Sequence, residues 1–458
     1  MKYGCVIALC CLSSSLGFSQ DTLRIMSWNL LNYNETSRDQ YYRTVLRHVR
    51  PDVLVVEEMT SQAMVDNFFN NVVNAVFPGQ FTRGTFIDGP DTDNEIYFKS
   101  VKFTFISNTP IHTALRNISE FKLYNPTAND TVRLYAVHLK ASSGSTNEAD
   151  RAAEVDSLRR VTNSLPNGEY FMVMGDFNIY GSTEPAYAGL LQDNPADDGY
   201  FVDTIHISGT WNNGAYAPYH TQSTRTRAFG GGATGGLDDR FDMILFSRAI
   251  AQGEGRVSFV GGSIVPIGND GNHYNDSINQ LPNTAVPDSV ANALHYASDH
   301  LPITAQFVFR SPTVSSQFIV NSGWNLVSVP FTMQDYRRQV VYPNAVSSAF
   351  AFVQQSGYVS RDTLENGVGY WLKFPGSQII ILSGGIRDID SIEVHTGWNL
   401  IGSISNPVPV DSIVQIPPDI VVARRYFGYG TTYAQTDTLL PNQGYWVKVS
   451  QDGVLVLH

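Results

Sequence analysis

Between Leu23 and Phe309, apolar runs typical of β-strands alternate with amphipathic helical segments, and this alternation is the strongest constraint on the fold. The helical segments span residues 37–50, where Ser37 and Gln40 have capping-box spacing, and residues 148–165. The pattern predicts an α/β fold, a layered α/β sandwich of two mixed β-sheets flanked by helices. The sequence pattern changes after residue 310, where short apolar segments and Gly/Asn/Pro turns predict two small all-β repeat modules.

Polar residues follow or open the apolar strands of this first region. Ends of strands in layered α/β sheets are where functional sites assemble, so we expect these side chains to meet. They combine hard oxygen ligands, a base and an acid, the groups that metal-assisted hydrolysis needs. The set consists of Asn29, Glu58, His138, Asp176, Asn178, Asp242, Asp299 and His300.

Six motifs give the region a resemblance to a known family. They span residues 23–309 and read "IMSWNLLN", "PDVLVVEEM", "VHLKAS", "GDFNIYGSTEPAY", "RFDMILFS" and "SDHLPI". Their order and spacing resemble those of the endonuclease/exonuclease/phosphatase superfamily, which includes pancreatic-type deoxyribonucleases, abasic-site endonucleases, bacterial neutral sphingomyelinases and inositol polyphosphate 5-phosphatases. The repeats after residue 311 are not part of this resemblance.

The resemblance implies a role for each residue that matches a motif. Mg²⁺ is the implied cofactor, with Mn²⁺ or Ca²⁺ as alternatives, since oxygen ligands suit a hard cation. The implied metal ligands are Asn29, Glu58 and Asp299; the implied catalytic residues are His138, Asp176, Asn178, Asp242 and His300. Asp176 would activate the attacking water and Asn178 would hold the phosphate. His300, held by Asp242, would contact the scissile phosphate, and His138 would neutralise or protonate the leaving side.

Three further residues are expected to contact substrate. Lys140 would steer an anion, with a solvated lysine as the alternative; Arg151 is placed as a phosphate contact, with a structural brace as the favoured alternative. Trp211 lies in "GTWNNGAYAPYH" (209–220), within a Gly- and aromatic-rich segment from 203 to 239 that predicts a loop around a site. Its ring would stack on bases, or else meet a lipid surface.

Two positions depart from the family pattern. Glu57 stands where many members have glutamine before the metal-binding glutamate, and we expect it to pair with an arginine, with a second weak cation site as the alternative. Position 31 is leucine where abasic-site enzymes often carry aspartate, which counts against that branch.

The charge balance bears on the substrate. The chain has 458 residues and a net charge of −12, and it contains no Lys/Arg-rich run. We expect a metal-dependent phosphodiester hydrolase that acts on DNA, with RNA as a further substrate, although the missing basic stripe argues against it. The alternatives are a sphingomyelinase-like phospholipid phosphodiesterase, an inositol-type phosphatase and a non-catalytic surface protein. A monomer without stable membrane insertion is expected.

The C-terminal third contains an internal repeat. "SGWNLVSVPF" begins at Ser322 and recurs 74 positions later as "TGWNLIGSIS"; "YVSRDTLENGVGYWLKFPG" begins at Tyr358 and recurs 75 positions later. Two blocks at one offset predict two homologous modules. Their aromatic triplets favour a packing role, with a ligand-binding face for a cell surface or polysaccharide as the alternative.

The first twenty residues are typical of a secretory signal peptide. Lys2 precedes an apolar run, and Gly17 and Ser19 stand at −3 and −1 of a cut before Gln20. All three cysteines, Cys5, Cys10 and Cys11, lie in this segment. We expect a secreted, cell-surface or periplasmic protein. The predicted domains are a signal peptide (1–19), a catalytic domain (20–310) and repeat modules at 311–387 and 388–458.

Overall fold

The computed structural model describes residues 20–253 and 255–458. The predicted signal peptide lies outside the described residues. The described chain separates into two units, residues 20–310 and residues 311–458.

The first sheet of the 20–310 unit has the strand order β11-β13-β1-β2-β4-β3, and β12 adds to β13. β1 and β2 run parallel, whereas β1 and β13 are antiparallel, so the sheet is mixed. Its strands are β1 (Gln20–Tyr33), β2 (Val53–Met59), β3 (Phe81–Arg83), β4 (Asp93–Lys99), β11 (Val257–Phe259), β12 (Val265–Pro266) and β13 (Ile303–Arg310).

The second sheet has the order β5-β6-β7-β8-β10-β9 and is also mixed. β7 and β8 are parallel, and β8 and β10 are antiparallel. Its strands are β5 (Thr104–Ile111), β6 (Ile118–Asn125), β7 (Asp130–His138), β8 (Phe171–Asp176), β9 (Phe201–Val202) and β10 (Asp242–Ser247).

The helices of this unit are α1 (Asp39–Val49), α2 (Gln62–Asn67), a π-helical stretch (Phe68–Val73), α3 (Asn74–Val76), α4 (Ser145–Thr162), α5 (Pro185–Leu191), a 3₁₀ helix (Gly214–Tyr219), α6 (Arg248–Gln252) and α7 (Asp288–Ala297). α1 and α7 cover the outer face of the first sheet, α4 and α5 cover that of the second, and α6 packs into the layer between the sheets. The capping box predicted at Ser37 is wrong: α1 begins at Asp39, and no side chain caps it. Outside its 3₁₀ helix, the 203–239 segment is irregular, as its composition predicts.

Side-chain alternation along the strands creates three apolar layers. Ile25 of β1 and Met172 of β8 pack together in the layer between the sheets. The neighbouring side chain of β1, Met26, faces the opposite way and packs with α1 and α7. A third layer joins the second sheet to α4 and α5. Period-two alternation thus makes each sheet apolar on both faces, and the predicted layered sandwich of two mixed sheets is confirmed.

The 311–458 unit is built almost entirely from antiparallel strands, which confirms the all-β character predicted for it. Its elements are β14 (Thr313–Val320), β15 (Gly323–Ser328), α8 (Arg338–Val341), β16 (Ala349–Val353), β17 (Gly357–Arg361), β18 (Gly369–Phe374), β19 (Gln378–Gly385), β20 (Asp390–Val394), β21 (Gly397–Ile401), β22 (Val408–Pro409), a 3₁₀ helix (Val410–Ser412), β23 (Val414–Ile416), β24 (Val421–Tyr429), β25 (Tyr433–Thr436), β26 (Thr438–Leu439), β27 (Tyr445–Val449) and β28 (Gly453–Leu457).

The internal repeat appears as two equivalent four-stranded sheets. The first has the order β15-β18-β16-β17 and the second β21-β27-β24-β25. Each repeat has its own apolar core, one formed by residues between Val320 and Leu382 and the other by residues between Ile392 and Leu457. The hydroxyl oxygens of Ser328 in the first repeat and Ser403 in the second lie 2.9 Å apart in a buried contact. A buried polar contact therefore joins the two repeats.

None of the helices in the described ranges combines the length and the apolar character that crossing a bilayer would require.

Candidate active site

The ends of three neighbouring strands bring three predicted residues side by side in the second sheet. His138 is the last residue of β7 and pairs in register with Asp176, the last residue of β8. Asp176 in turn pairs with Asp242, the first residue of β10. Parallel and antiparallel pairing together align the three side chains at one edge of the sheet.

The first sheet contributes an amide and a carboxylate to the same place. Nδ2 of Asn29 donates to Oε1 of Glu58 at 2.9 Å, and it also lies 3.3 Å from Oδ2 of Asp176 in the opposite sheet. The Ser298 hydroxyl donates to the backbone carbonyl of Asn29 at 2.6 Å, which ties the segment before β13 to β1. The site therefore forms where the two sheets meet.

Asp176 is the centre of the cluster. Its Oδ2 atom lies 3.5 Å from Nε2 of His300 and 3.6 Å from Nε2 of His138. Nδ1 of His138 is 3.8 Å from Oε1 of Glu58. Six of the seven other predicted strand-end residues are linked to Asp176 directly or through one neighbour; among them, the Asn178 backbone N–H donates to Oδ1 of Asp176 at 3.0 Å.

His300 is held between two side chains. Its Nδ1 lies 2.8 Å from Oδ2 of the buried Asp242, and its Nε2 lies 2.6 Å from the side-chain nitrogen of Gln222. A neutral ring that donates Nδ1–H to Asp242 accepts from the Gln222 amide, whereas a protonated ring needs the amide oxygen instead. Gln222 also reaches Oδ2 of Asp299 at 3.4 Å, so Asp299 joins the cluster through Gln222 and not through Glu58.

Unusual backbone conformations aim two of these side chains. Glu58 has φ +63° and Asn178 has φ +50°, in the left-handed region that is costly for residues other than glycine. Within β8, Gly175 has φ +131°, and a Cβ there would come within 2.0 Å of the backbone carbonyl oxygen of Val137 in β7. Glycine at 175 is thus required for β8 to approach β7 closely beside the site.

The pKa values of His300 and His138 are shifted in opposite directions. Burial alone would lower the pKa of His300, but Asp242, Asp176 and Asp299 raise it well above its usual value. Burial, and then the charges of Arg116 and His300, hold the pKa of His138 well below its usual value. The carboxylates therefore favour the protonated form of His300, which requires the Gln222 amide to present its oxygen to Nε2, whereas His138 is a neutral imidazole.

The central carboxyl is itself perturbed. Burial is the largest cause, and Asp242 and Glu58 add to it, while His300 opposes it; the pKa of Asp176 is raised to about 7. A carboxylate with this pKa is poised between proton acceptance and release near neutral pH, as a general base should be.

The structure corrects the expectation for Glu57. Its side chain is fully buried, its Oε1 accepts from the Ser27 hydroxyl at 2.7 Å, and its Oε2 has no hydrogen-bond partner, arginine included, among the described residues. Burial, and then the charges of Asp242 and Asp176, raise the pKa of Glu57 well above its ordinary value, despite the Ser27 hydrogen bond. Glu57 is a neutral acid beneath the site, not a surface ion-pair partner.

The oxygen atoms at the site decide whether a hard cation could bind there. Within residues 20–253 and 255–458, no three His, Cys, Asp or Glu side chains form a metal cage by themselves. Mg²⁺ does not require one, because it keeps several waters and binds through one or two protein oxygens and substrate phosphate. Glu58 offers its carboxylate oxygens, whereas Asn29 turns its amide nitrogen towards Glu58 and its Oδ1 accepts from the Leu31 backbone N–H, so Asn29 would have to turn its amide over to bind a cation. Buried Asp242 and Asp299 each have one oxygen without a hydrogen-bond partner among the described residues. These residues fit the cation.

The structure does not support substrate contacts for Arg151 and Trp211. Arg151 is fully buried; its Nη2 lies 2.7 Å from Glu184, and it also bonds the backbone carbonyl of Lys140, as a brace would. Trp211 is fully buried against Tyr187, and its indole N–H donates to a backbone carbonyl, so its ring is not available for stacking on bases. Lys140 is half-buried, with Nζ bonded to the carbonyl of Ala141.

Two residues near the site were not found from the sequence. Gln222 lies in the irregular segment before β10, where no periodicity predicts which side chains point inward. Arg116 donates to the His138 carbonyl at 3.3 Å and pairs with Asp91 at 3.0 Å. Its place in a loop between β5 and β6 gave no signal.

Comparisons with known proteins complete the description. No family model matches the chain, and no curated protein matches it. Similar solved structures include TDP2 of D. rerio complexed with a single-strand DNA product (18% identity, TM-score 0.43, covering 62% of this chain and 98% of that one). Another is the human Nocturnin catalytic domain with a bound sulfate (17%, 0.40, 63% and 97%).

A third similar structure comes from Bacteroides thetaiotaomicron (14% identity, TM-score 0.39, covering 64% of this chain and 99% of that one). It is described as an endonuclease/exonuclease/phosphatase family protein, which is the family that the six sequence motifs resemble.

Proposed function

We propose that the chain is a divalent-metal-dependent phosphodiester hydrolase of the endonuclease/exonuclease/phosphatase type, which acts on nucleic acid, DNA before RNA. One observation carries the proposal. A single buried carboxyl, Asp176, lies within 3.3–3.6 Å of Asn29, His138 and His300 at the junction of two sheets. That constellation supplies a base, a cation and hydrogen-bond donors around one point.

The chain's own residues divide the work of an in-line hydrolysis. Asp176, with a pKa of about 7, accepts the proton of the attacking water. His300 remains protonated through Asp242 and stabilises negative charge that develops on the phosphoryl oxygens. His138 has a lowered pKa, so it suits a neutral hydrogen-bonding role on the leaving side better than that of a strong acid.

Glu58 and Asn29 are the residues that would hold the cation. Oε1 of Glu58 already meets the Asn29 amide, and the second carboxylate oxygen accepts from the Asn32 backbone N–H at 2.5 Å. When bound, a divalent cation neutralises phosphate charge and lowers the pKa of a water ligand. Mg²⁺ is proposed, with Mn²⁺ or Ca²⁺ as alternatives.

The substrate proposal rests on sequence and on one structural observation. Burial of Trp211 removes the one tryptophan in its segment that could have met a bilayer, which weighs against the phospholipase alternative. The export-type N-terminal sequence supports a protein that meets nucleic acid outside the cytoplasm, and a monomer is proposed. The net charge of −12 requires that phosphate binding depend on the cation and on local donors.

The test is a side-by-side hydrolysis assay of the purified protein with Mg²⁺ on duplex DNA, RNA, sphingomyelin and an inositol polyphosphate. Asp176→Asn is assayed with each substrate, because the isosteric amide removes the base and keeps the fold. DNA cleavage that disappears with EDTA and in the variant is expected. Cleavage of the lipid or of the inositol ester alone would refute the substrate, and no turnover of any of the four would refute the enzyme proposal.

A further inference from the structure

The outward faces of the two repeat sheets carry equivalent aromatic residues. In the first sheet, Phe350 of β16 pairs across the strands with Trp371 of β18. In the second, Phe427 of β24 pairs with Trp446 of β27 in the same way. Trp324 and Trp398 extend the two faces, each opposite a lysine. Register, and not only sequence similarity, therefore makes these faces equivalent.

One aromatic side chain of each repeat packs against a tryptophan of the other repeat. Tyr429 of the second repeat lies against Trp371 of the first, with ring centroids 4.7 Å apart and planes at 75°. Phe352 of the first repeat lies against Trp446 of the second, at 4.8 Å and 69°. In edge-to-face packing the edge of one ring covers one face of its neighbour, so this contact leaves the opposite face of that neighbour uncovered.

This packing creates two open clefts, of about 480 and 540 Å³. Every side chain that lines either cleft is aromatic. The linings are Phe352, Trp398, Phe427, Tyr433 and Trp446 in one, and Trp324, Phe350, Tyr358, Trp371, Tyr429 and Tyr433 in the other. Trp324 and Trp398 are each 43% exposed, so these tryptophans are not the packing residues that the sequence favoured.

Hydrogen-bond donors remain unused at the clefts. The Nε1 atom of Trp371 is buried and has no hydrogen-bond partner among the described residues. Nε1 of Trp446 likewise lacks a well-formed hydrogen bond, although the indole lies close enough to the Tyr433 phenol to oppose the rise in pKa that burial gives that phenol. Because both indole nitrogens are buried, a ligand in the clefts does not reach them in this structure, and recognition there rests on the exposed ring faces.

The charge at the clefts suits an uncharged ligand. No charged side chain lines either cleft, although Lys373 and Lys448 lie directly across the strands from Trp324 and Trp398. From residue 311 onward the chain has 8 Lys/Arg and 10 Asp/Glu, a net charge of −2. A nucleic acid brings one negative charge per nucleotide and needs a basic track, which this unit does not offer.

We propose that the two aromatic clefts of the 311–458 unit bind an uncharged polysaccharide, whose pyranose rings lay their C–H faces on the exposed indole and phenol rings. Exposed aromatic platforms match sugar rings, which present apolar C–H faces. Two equivalent clefts match a ligand with a repeating unit, because the second contact becomes intramolecular. This site lies outside the proposed phosphodiesterase site and does not depend on its activity.

The test measures depletion of the full chain from solution by insoluble cellulose, chitin, starch and xylan. We expect retention on at least one of them, unchanged between 50 and 500 mM NaCl since no ionic contact is involved. Trp324→Ala or Trp398→Ala should weaken the association about tenfold or more through lost avidity, and the double variant should abolish it. Tyr433→Ala should cost more than Tyr358→Ala, because Tyr433 lines both clefts and Tyr358 only one.

Three controls make the result decisive. Ile319→Ala replaces a side chain that is 77% exposed on the separate β14-β19 sheet of the same unit and lines neither cleft, so it should leave retention unchanged. Thermal unfolding of each variant must match that of the parent protein. Asp176→Asn should be retained as the parent is, so a failed hydrolase proposal and a failed polysaccharide proposal would be distinguished.

Retention on none of the four polymers would overturn the proposal. So would binding only to alginate or to a 20-nucleotide thymidine oligomer (measured with EDTA present), since both ligands are polyanions. Equal retention of the double tryptophan variant would show that another surface is responsible and would likewise overturn it.

Discussion

The Nδ1 atom of His300 lies 2.8 Å from Oδ2 of Asp242, and both side chains are almost completely buried. Asp242 is the largest of the causes that raise the pKa of His300. A carboxylate in this position fixes the tautomer of the ring and stabilises its cationic form. The proton on His300 therefore depends on one neighbour that a substitution can remove.

Asp242→Asn should lower the pKa of His300 and reduce kcat/KM by about 10²- to 10⁴-fold. A group that acts in its protonated form supports activity below its pKa, so a lower pKa moves the alkaline loss of activity to lower pH. The measurement is kcat/KM against pH for both proteins. A uniform fall in activity, with the alkaline limb unmoved, would contradict the role given to His300.

Two adjacent glutamates should respond differently to the same substitution. Glu58→Gln removes a proposed metal ligand, so the half-saturating Mg²⁺ concentration should rise at least as much as the 10- to 100-fold that loss of an outer-shell partner costs. Glu57→Gln replaces a neutral buried acid with its isostere and should leave the metal requirement unchanged. Titration of activity with Mg²⁺ measures both, and equal shifts would count against Glu58 as the ligand.

Removal of the Arg151 brace should affect folding more than substrate binding. Arg151→Met leaves Glu184 as an uncompensated buried charge, which should cost about 3–5 kcal/mol of unfolding free energy. Denaturant titration gives that value, and kcat/KM of the folded protein should stay close to that of the parent. A raised KM with unchanged stability would instead restore the phosphate contact expected from the sequence.

A buried glutamate away from the site makes stability depend on pH. Burial raises the pKa of Glu95 to about 7, from an ordinary 4.5, and its Oε2 has no hydrogen-bond partner among the described residues. The native state therefore holds this proton more tightly than the unfolded state. Its contribution to stability is complete below pH 4.5 and is lost as pH rises towards 7.

Glu95→Gln should abolish that loss. The shift corresponds to about 3 kcal/mol, so the variant should be more stable than the parent by up to this amount at pH 8 and no more stable at pH 4. Urea unfolding at the two pH values supplies the comparison. A constant difference between the proteins would show that Glu95 is not the titrating group.

Much of the site could be predicted because it sits at the ends of apolar strands. Asp176 and His138 each close a run of buried residues, and strand pairing then places them side by side. The same alternation indicates that Glu57 is buried, because Val53, Val55 and Glu57 share one face of β2 and both valines pack between the sheets. Burial of Glu57 follows from that period.

Loop residues could not be predicted in this way. Trp211 and Gln222 lie in one irregular segment, yet the first is buried in the core and the second faces His300. Composition gives the average polarity of such a segment, but the direction of each side chain depends on contacts with distant strands. The repeat clefts are hard to predict from sequence for the same reason, because residues of both repeats, about 75 positions apart, line each of them.

The packing of Tyr429 and Phe352 against the opposite repeat bears on how this unit could have arisen. Each repeat supplies a wall that the other lacks, so a chain that stopped near residue 387 would present a sheet with bare tryptophans and no complete cleft. A single ancestral copy would have met this need by pairing with an identical chain. Fusion of two copies would then have made that partnership permanent and left each half free to diverge.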